Sequence, residues 1–314
     1  MMEPNAKIYV AGHQGLVGGA IWRHLHGAGF GNLVGRSFEE LDLRDQAAVT
    51  GWFDQERPEY VFLAAARVGG IRANSTFPAE FIYDNLMIET NIVHQAYRHN
   101  VKKLMFLGSS CIYPKLCPQP MKEDYLLDGK LEPTNEPYAV AKIAGIKLCQ
   151  SYNRQYGTCF ISVMPTNLYG PEDNFDLQDS HVIPALMRKF HQGKVIGAPE
   201  VKVWGSGTPR REFLYVDDLA DACLFLMQHY LDGEIINIGV GQDLQILELA
   251  QQVSAVTGYQ GRIALDPSQP DGTPRKLLDV SKLTAMGWQA RTPLQEGLQK
   301  TYDWFCRSPW AEKS

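Results

Sequence analysis

Long apolar runs are missing from this sequence. The stretch Ile8 to Ala11 is far too short to cross a bilayer, and Met1 to Lys7 holds no apolar core of a secretory leader. The expectation is a soluble, untargeted, cytoplasmic protein with no membrane partner. Basic runs are missing as well: none exceeds two or three residues, and the formal net charge is -5. An acidic chain without a clustered basic face is repelled by nucleic acids and anionic surfaces, which removes both from the expected partners. Cys111, Cys117, Cys149, Cys159, Cys223 and Cys306 form no Cys-x-x-Cys pair and have no His-rich neighbours at zinc spacing. Neither a metal site nor a disulfide framework is expected. Internal repeats and low-complexity segments are also absent, which excludes solenoids and linkers.

What is present is an ordinary globular balance, 45% hydrophobic and 21% charged over 314 residues, enough for one large α/β domain with an appended lobe. Short aliphatic runs alternate with longer segments of helical period: Lys7 to Ala11, then Leu16 to Ala28; Tyr60 to Ala64, then Phe81 to His99; Lys103 to Leu107, then Pro137 to Tyr156. Phe160 to Met164 and Ile235 to Ile238 read as further strands. Such alternation marks βαβ units and a parallel sheet covered on both faces. Beyond about residue 170 the pattern breaks into Pro/Gly-rich loops (Gly170-Pro171, Gly205-Ser206-Gly207, Asp271-Gly272-Thr273-Pro274), which read as a smaller lobe over the ligand edge of the sheet.

Gly12, Gly15 and Gly18 form Gly-x-x-Gly-x-x-Gly between the first strand and the first helix. Glycine is required there because the backbone must turn sharply and approach a pyrophosphate, while the helix N-terminus offers N–H groups and positive partial charge. The expected fold is therefore a Rossmann-type doubly wound parallel sheet with a smaller, discontinuous C-terminal substrate-binding lobe. Residues 1–170, with about 213–240, would form the dinucleotide domain, and 171–212 with 241–314 the lobe. The second strand, Asn32 to Gly35, ends in Arg36 rather than an acid; a cation suits a 2′-phosphate and favours NADP(H) over NAD. Ala64 and Ala65, after the third sheet strand, let a cofactor pass close to the backbone.

Tyr138 and Lys142 lie four apart on a helix opened by Pro137, so they share a face. An ammonium beside the phenol is expected to lower its pKa from about 10 and ready it as a proton donor. The strand Lys103 to Leu107 runs into Gly108-Ser109-Ser110-Cys111, which brings a hydroxyl toward Tyr138. In this order and spacing the glycine motif, Ser109 and Tyr-x-x-x-Lys resemble the extended short-chain dehydrogenase/reductase family. That resemblance implies that Ser109 and Tyr138 act on a carbonyl oxygen and that Lys142 also holds the nicotinamide ribose.

Four further blocks resemble the GDP-L-fucose synthase branch of that family: Gly108-Ser109-Ser110-Cys111-Ile112-Tyr113-Pro114-Lys115, Glu132-Pro133-Thr134-Asn135-Glu136-Pro137-Tyr138-Ala139, Met164-Pro165-Thr166-Asn167-Leu168-Tyr169-Gly170-Pro171, and Asp271-Gly272-Thr273-Pro274-Arg275-Lys276-Leu277-Leu278-Asp279. The resemblance implies GDP-4-keto-6-deoxy-D-mannose as substrate, epimerised at C3 and C5 and then reduced at C4 with NADPH. It also implies a homodimer built on two helices per subunit, and Cys111 and His181 as base and acid, with His181 bordering the cofactor. The chemistry is consistent: the C4 ketone acidifies both neighbouring protons, so one oxyanion site serves enolate and alkoxide. Cys and His, with reference pKa values of about 8.5 and 6.5, bracket neutral pH. Two residues apart on an extended segment, Ser109 and Cys111 would point the same way.

For the nucleotide sugar, Arg211 and Lys276 are the diphosphate candidates, with Arg210 and Arg275 as exposed alternatives. Asn167 would touch sugar or phosphate or cap a turn. Lys189 and Trp204 would border the substrate, Trp204 as a stacking wall or as core. Gln14 stands where members of the branch often carry an Arg for the 2′-phosphate, which leaves Arg36 more of that task. Competing readings are a nucleotide-sugar 4-epimerase, which would not need Cys111 with His181; a 4,6-dehydratase, which usually needs a Glu that Ser109-Ser110-Cys111 does not offer; and a non-catalytic dinucleotide sensor, which would usually lack Tyr138 or Lys142.

Overall fold

The computed structural model describes residues 2–269 and 271–312. Six strands form one sheet in the order Ile236–Ile238, Phe160–Pro165, Lys103–Leu107, Tyr60–Leu63, Ile8–Ala11, Leu33–Val34, and every neighbouring pair is parallel. The five longer strands are buried from end to end. That explains why their sequences are continuous apolar runs rather than alternating ones. Ile8, Val10, Phe62 and Met105 face one core with the helices Leu16–Gly27 and Val216–His229. Tyr9, Val61, Leu104 and Phe106 face the other, with Gln46–Glu56, Pro78–Arg98 and Glu136–Tyr156.

The chain passes from Ile8–Ala11 outward to Leu33–Val34, then returns to Tyr60–Leu63 on the opposite side. The sheet order reverses at that point, which opens a crevice at the carboxyl ends of the strands. A third apolar core, from Tyr169 and Phe175 to Leu298 and Phe305, gathers the helices Val182–Val195, Ile246–Thr257 and Leu294–Phe305. The Pro/Gly-rich part of the sequence thus contains substantial helices; its loops mark only the turns between them. The helix Gln46–Glu56 was also not expected. Its signals are local: Asp45 accepts hydrogen bonds from Ala47 N and Ala48 N, and Val49, Trp52 and Phe53 are buried on one face. All six cysteines are free. Among the described residues no helix is long and apolar enough to cross a membrane, and no cluster of His, Cys, Asp and Glu has the makings of a metal site.

Lys103, at the start of the central strand, is buried, and its Nζ donates to Leu226 O, Met227 O and Tyr230 O. These carbonyls end the helix Val216–His229, where the helix dipole favours a cation. Lys103→Met would take the donor from Met227 O and Tyr230 O, while Leu226 O would keep Tyr230 N. The expected loss is about 2–4 kcal/mol, read as a lower urea midpoint at unchanged slope; an unchanged midpoint would mean that water replaces the ammonium.

Candidate active site

The glycine loop lies at the sheet's reversal. Gly12 has φ +83°, and a Cβ there would stand 2.9 Å from the Ala65 backbone. At Gly18 a Cβ would reach 2.1 Å from Gly12 O. Gly15 is the N-cap of the helix Leu16–Gly27 and makes no side-chain cap hydrogen bond. Its nearest obstacle to a Cβ, Gly12 O, is 3.6 Å away. The first and third glycines are therefore required by chain packing, and the middle one leaves the helix N-terminus open to an anion. Ala64 and Ala65 form the opposite wall. Gln14 borders a shallow pocket with His13, Trp22 and Arg23.

Arg36 lies beside this loop, but its guanidinium is engaged: Nη2 is 2.8 Å from Glu56 Oε1, and Nη1 donates to Gly35 O. Glu56 also pairs with Lys7 at 3.2 Å, so Arg36 can turn toward a phosphate without leaving that carboxylate alone. His13 was not singled out from sequence. It packs so closely on Gly35 that a Cβ there would come within 2.5 Å of its ring, and it is tilted against Trp22 at 5.2 Å.

At the end of the central strand Ser109 caps a tight turn, Ser110–Ile112, and its Oγ accepts from Cys111 N at 3.2 Å. Ser109 and Cys111 are thus neighbours through a turn, not through the extended segment that the sequence suggested. The Ser109 hydroxyl also lies near the Tyr138 phenol and favours its ionised form, against the burial that dominates.

Tyr138 and Lys142 share a face of the helix Glu136–Tyr156 as expected, yet the ammonium is not spent on the phenol. Lys142 Nζ lies 3.0 Å from Glu89 Oε1, both side chains being 2% exposed, and 5.9 Å from the Tyr138 ring centre. Burial, then the nearby Cys111 and Glu89 charges, push the Tyr138 pKa up. The expected lowering is therefore corrected: burial of the phenol, with the Cys111 and Glu89 charges added, outweighs the neighbouring cation.

Cys111 has two donors at its sulfur. Asn135 Nδ2 stands 3.1 Å away and Lys276 Nζ 3.4 Å away. Burial works against the thiolate, but the Lys276 charge and the hydrogen bonds from Ser109, Lys276 and Asn135 outweigh it and lower the pKa. Lys276, expected at a diphosphate, thus rests beside the thiol in this state. Asn135 sits at the N-cap of the helix Glu136–Tyr156 but caps nothing; from sequence it reads as an ordinary helix start, and its real partner is 24 residues away.

His181 opens the helix Val182–Val195 at the rim of the cleft. The residue remains exposed, while the surrounding protein and then the Lys276 ammonium lower its pKa. Gly70 N donates to Asp179 O at 2.9 Å, which ties this segment to the loop behind Ala64 and Ala65.

The remaining candidates spread along the cleft. Arg211 donates to Arg210 O and Asp271 O, and burial lowers its pKa while the Cys111 charge opposes that. Asn167 Nδ2 donates to Glu212 O at 2.8 Å, a contact within the framework. Lys189 Nζ lies 4.9 Å from the centre of the Trp204 ring, and Trp204 remains 42% exposed, so the two form an open shelf rather than core. Arg210 and Arg275 both bind Asp243, which removes them as free anion ligands.

Glycine cradle, Ser–Tyr–Lys set and sheet order agree with the match of residues 8–239 to the family model described as NAD dependent epimerase/dehydratase family. The chain belongs to that family. Within this epimerase/dehydratase family it is 59% identical over 308 residues to GDP-L-fucose synthase 1 of Arabidopsis thaliana, covering 98% of this chain and 95% of the relative. It is 57% identical over 310 residues to GDP-L-fucose synthase of Escherichia coli (strain K12), covering 95% and 96%. Among solved structures it resembles a GDP-L-fucose synthetase from Naegleria fowleri bound to NADP, with TM-score 0.91, 31% identity and coverage of 98% and 96%.

If Lys276 holds the thiolate, Lys276→Met should raise the pH midpoint of Cys111 alkylation by about one unit or more. The measurement is the iodoacetamide rate against pH for the phase that Cys111→Ser abolishes. A superimposable profile would place the cation elsewhere in solution.

Proposed function

We propose that this protein epimerises GDP-4-keto-6-deoxy-D-mannose at C3 and C5 and reduces C4 with NADPH, yielding GDP-L-fucose. The observation that carries the reading is the Cys111 thiol beside the Ser109 and Tyr138 hydroxyls, with Lys276 and Asn135 at its sulfur. A reductase alone needs the hydroxyl pair; a carbon-acid base placed against it serves proton abstraction next to a ketone. The relatives that bear this activity by name span nearly the whole chain.

NADP(H) fits the cradle, since Gly12 and Gly18 leave no room for side chains and Gly15 leaves the helix N-terminus open. When bound, NADPH supplies the hydride. Arg36, with His13 beside it, is the group for the 2′-phosphate, in the absence of an Arg at Gln14. Ser109 and Tyr138 hold the C4 oxygen and stabilise the enolate as charge develops. Cys111 removes the neighbouring proton and His181 is the partner acid, whose protonated ring Lys276 disfavours less once it turns to the diphosphate. Tyr138 then donates to the C4 oxygen: its raised pKa keeps the phenol protonated through the neutral range, the form a donor requires. Lys142 orients the nicotinamide ribose. Arg211 and, once substrate enters, Lys276 face the diphosphate, while Asn167, Lys189 and Trp204 border the nucleotide sugar.

The same reading assigns residues 1–170 and about 213–240 to the cofactor, and 171–212 and 241–314 to the nucleotide sugar, in a cytoplasmic homodimer. The helices Pro78–Arg98 and Glu136–Tyr156 are the proposed interface: Tyr97 and Tyr156 stack at 4.2 Å, and Tyr83, Val140 and Tyr156 are exposed along them.

Product analysis with GDP-4-keto-6-deoxy-D-mannose and NADPH tests the whole assignment. In deuterated water without NADPH, the unmodified protein should exchange deuterium into C3 and C5. Cys111→Ser should suppress that exchange, because a serine hydroxyl is too weak an acid to serve as a base near neutral pH. Tyr138→Phe should exchange but reduce about 100 to 10,000 times more slowly. Exchange at the normal rate in Cys111→Ser would leave a keto-sugar reductase without this epimerase. A further expectation concerns the cofactor: Arg36→Ala should lower the NADPH-over-NADH preference by about 1–3 kcal/mol, and equal affinity of the unmodified protein for both would overturn the 2′-phosphate role.

A further inference from the structure

Glu89 lies in the middle of the helix Pro78–Arg98, 1% exposed. Its Oε1 is 3.0 Å from Lys142 Nζ, yet neither carboxylate oxygen is aligned for a hydrogen bond with any group. The contact is therefore one of charge rather than of direction. The neighbouring residues make space for it: at Gly145 a Cβ would stand 2.7 Å from Glu89 Oε2 and 2.4 Å from the Phe106 ring. Tyr138, Lys142 and Gly145 follow at helical spacing on one face, so the Tyr–Lys pair and the gap for the carboxylate belong to one stripe.

We propose that Glu89 is a positioning residue for reduction, acting through Lys142 to fix the ammonium in place and to set the pH above which the Tyr138–Lys142 unit loses its proton. The inference rests on the reading of Tyr138 and Lys142 as the proton relay. Burial pushes the Glu89 pKa up and the Lys142 ammonium pulls it back, so the charge of the carboxylate depends on the pair, and removing one ion leaves the other unsolvated. The titratable groups that face Glu89 are Lys142, Tyr138 and Cys149 from the helix Glu136–Tyr156. Cys111 acts on Tyr138 from the strand-end turn, and the strand beneath contributes the apolar Phe106 ring, 4.7 Å from Lys142 Nζ. After burial and the Cys111 charge, Glu89 is the negative charge that opposes ionisation of Tyr138. Without it the phenol ionises more readily, and an unpaired buried ammonium is itself easier to deprotonate. Both effects move the loss of function to lower pH.

The test compares the unmodified protein with Glu89→Gln and Glu89→Asp, in the pH dependence of kcat for reduction and of NADPH affinity followed by fluorescence. Glu89→Gln should move the basic limb of both profiles down by about one unit or more. Glu89→Asp, which keeps the charge but withdraws it by a methylene, should move them the same way by less, and decides the matter if Glu89→Gln does not fold. A purely structural role would reduce the amount of folded protein without moving either limb. Limbs that coincide with those of the unmodified protein, in whichever variants fold, overturn the proposal. Absence of turnover by the unmodified protein would instead count against the keto-sugar reading, and the NADPH profile would still decide the role of Glu89.

Discussion

The Glu212 carboxylate is fully buried and accepts three backbone N–H groups, from Val240 at 2.6 Å, Gly241 at 2.7 Å and Leu278 at 2.9 Å. Its own carbonyl accepts from Thr166 Oγ1 and Asn167 Nδ2. One residue thereby gathers the exit of the edge strand Ile236–Ile238, the end of Phe160–Pro165 and the segment that carries Lys276. A buried carboxylate is costly unless its oxygens are satisfied, so these segments meet in one arrangement. That arrangement brings Lys276 to Cys111, 165 residues earlier in the chain. Gly239 belongs to the same constraint, because a Cβ there would stand 2.3 Å from Glu212 Oε1.

The clasp sets two cations to different tasks on either side of a single pair of hydroxyls. Lys276, paired with no carboxylate among the described residues, favours the thiolate of Cys111 and adds to burial in disfavouring the protonated ring of His181. Lys142 is neutralised by Glu89, and Tyr138, raised first by burial and then by the Cys111 and Glu89 charges, stays a protonated phenol. Base and acid are thus separated by burial and by where the counter-charges lie, although Ser109 neighbours both Cys111 and Tyr138. Groups whose surroundings drive their pKa values apart are the expected design for successive proton removal and proton donation at neighbouring atoms.

The approximate positions of the main-sheet strands, the glycine cradle and the shared face of Tyr138 and Lys142 were legible in the residue order. Each depends on local rules: continuous apolar runs for strands covered on both sides, glycine where Ala65 or Gly12 O stands in the way of a Cβ, and helical spacing for the Tyr–Lys pair. Asp45 and the spacing of Val49, Trp52 and Phe53 would also have revealed the helix Gln46–Glu56.

The partners of the reactive groups were settled only by tertiary contact. Asn135 has the look of a helix cap and serves a thiol; Lys276 is one of several loop cations until the Glu212 clasp selects it; Glu89 is an unremarked acid until it meets Lys142, 53 residues on, where both side chains are almost wholly buried. Local propensity records the backbone conformation of a residue and the face it presents. The protonation state of a buried group depends on which charges come within a few ångströms of it and on how much water is excluded, and both are properties of segments brought together from distant parts of the chain.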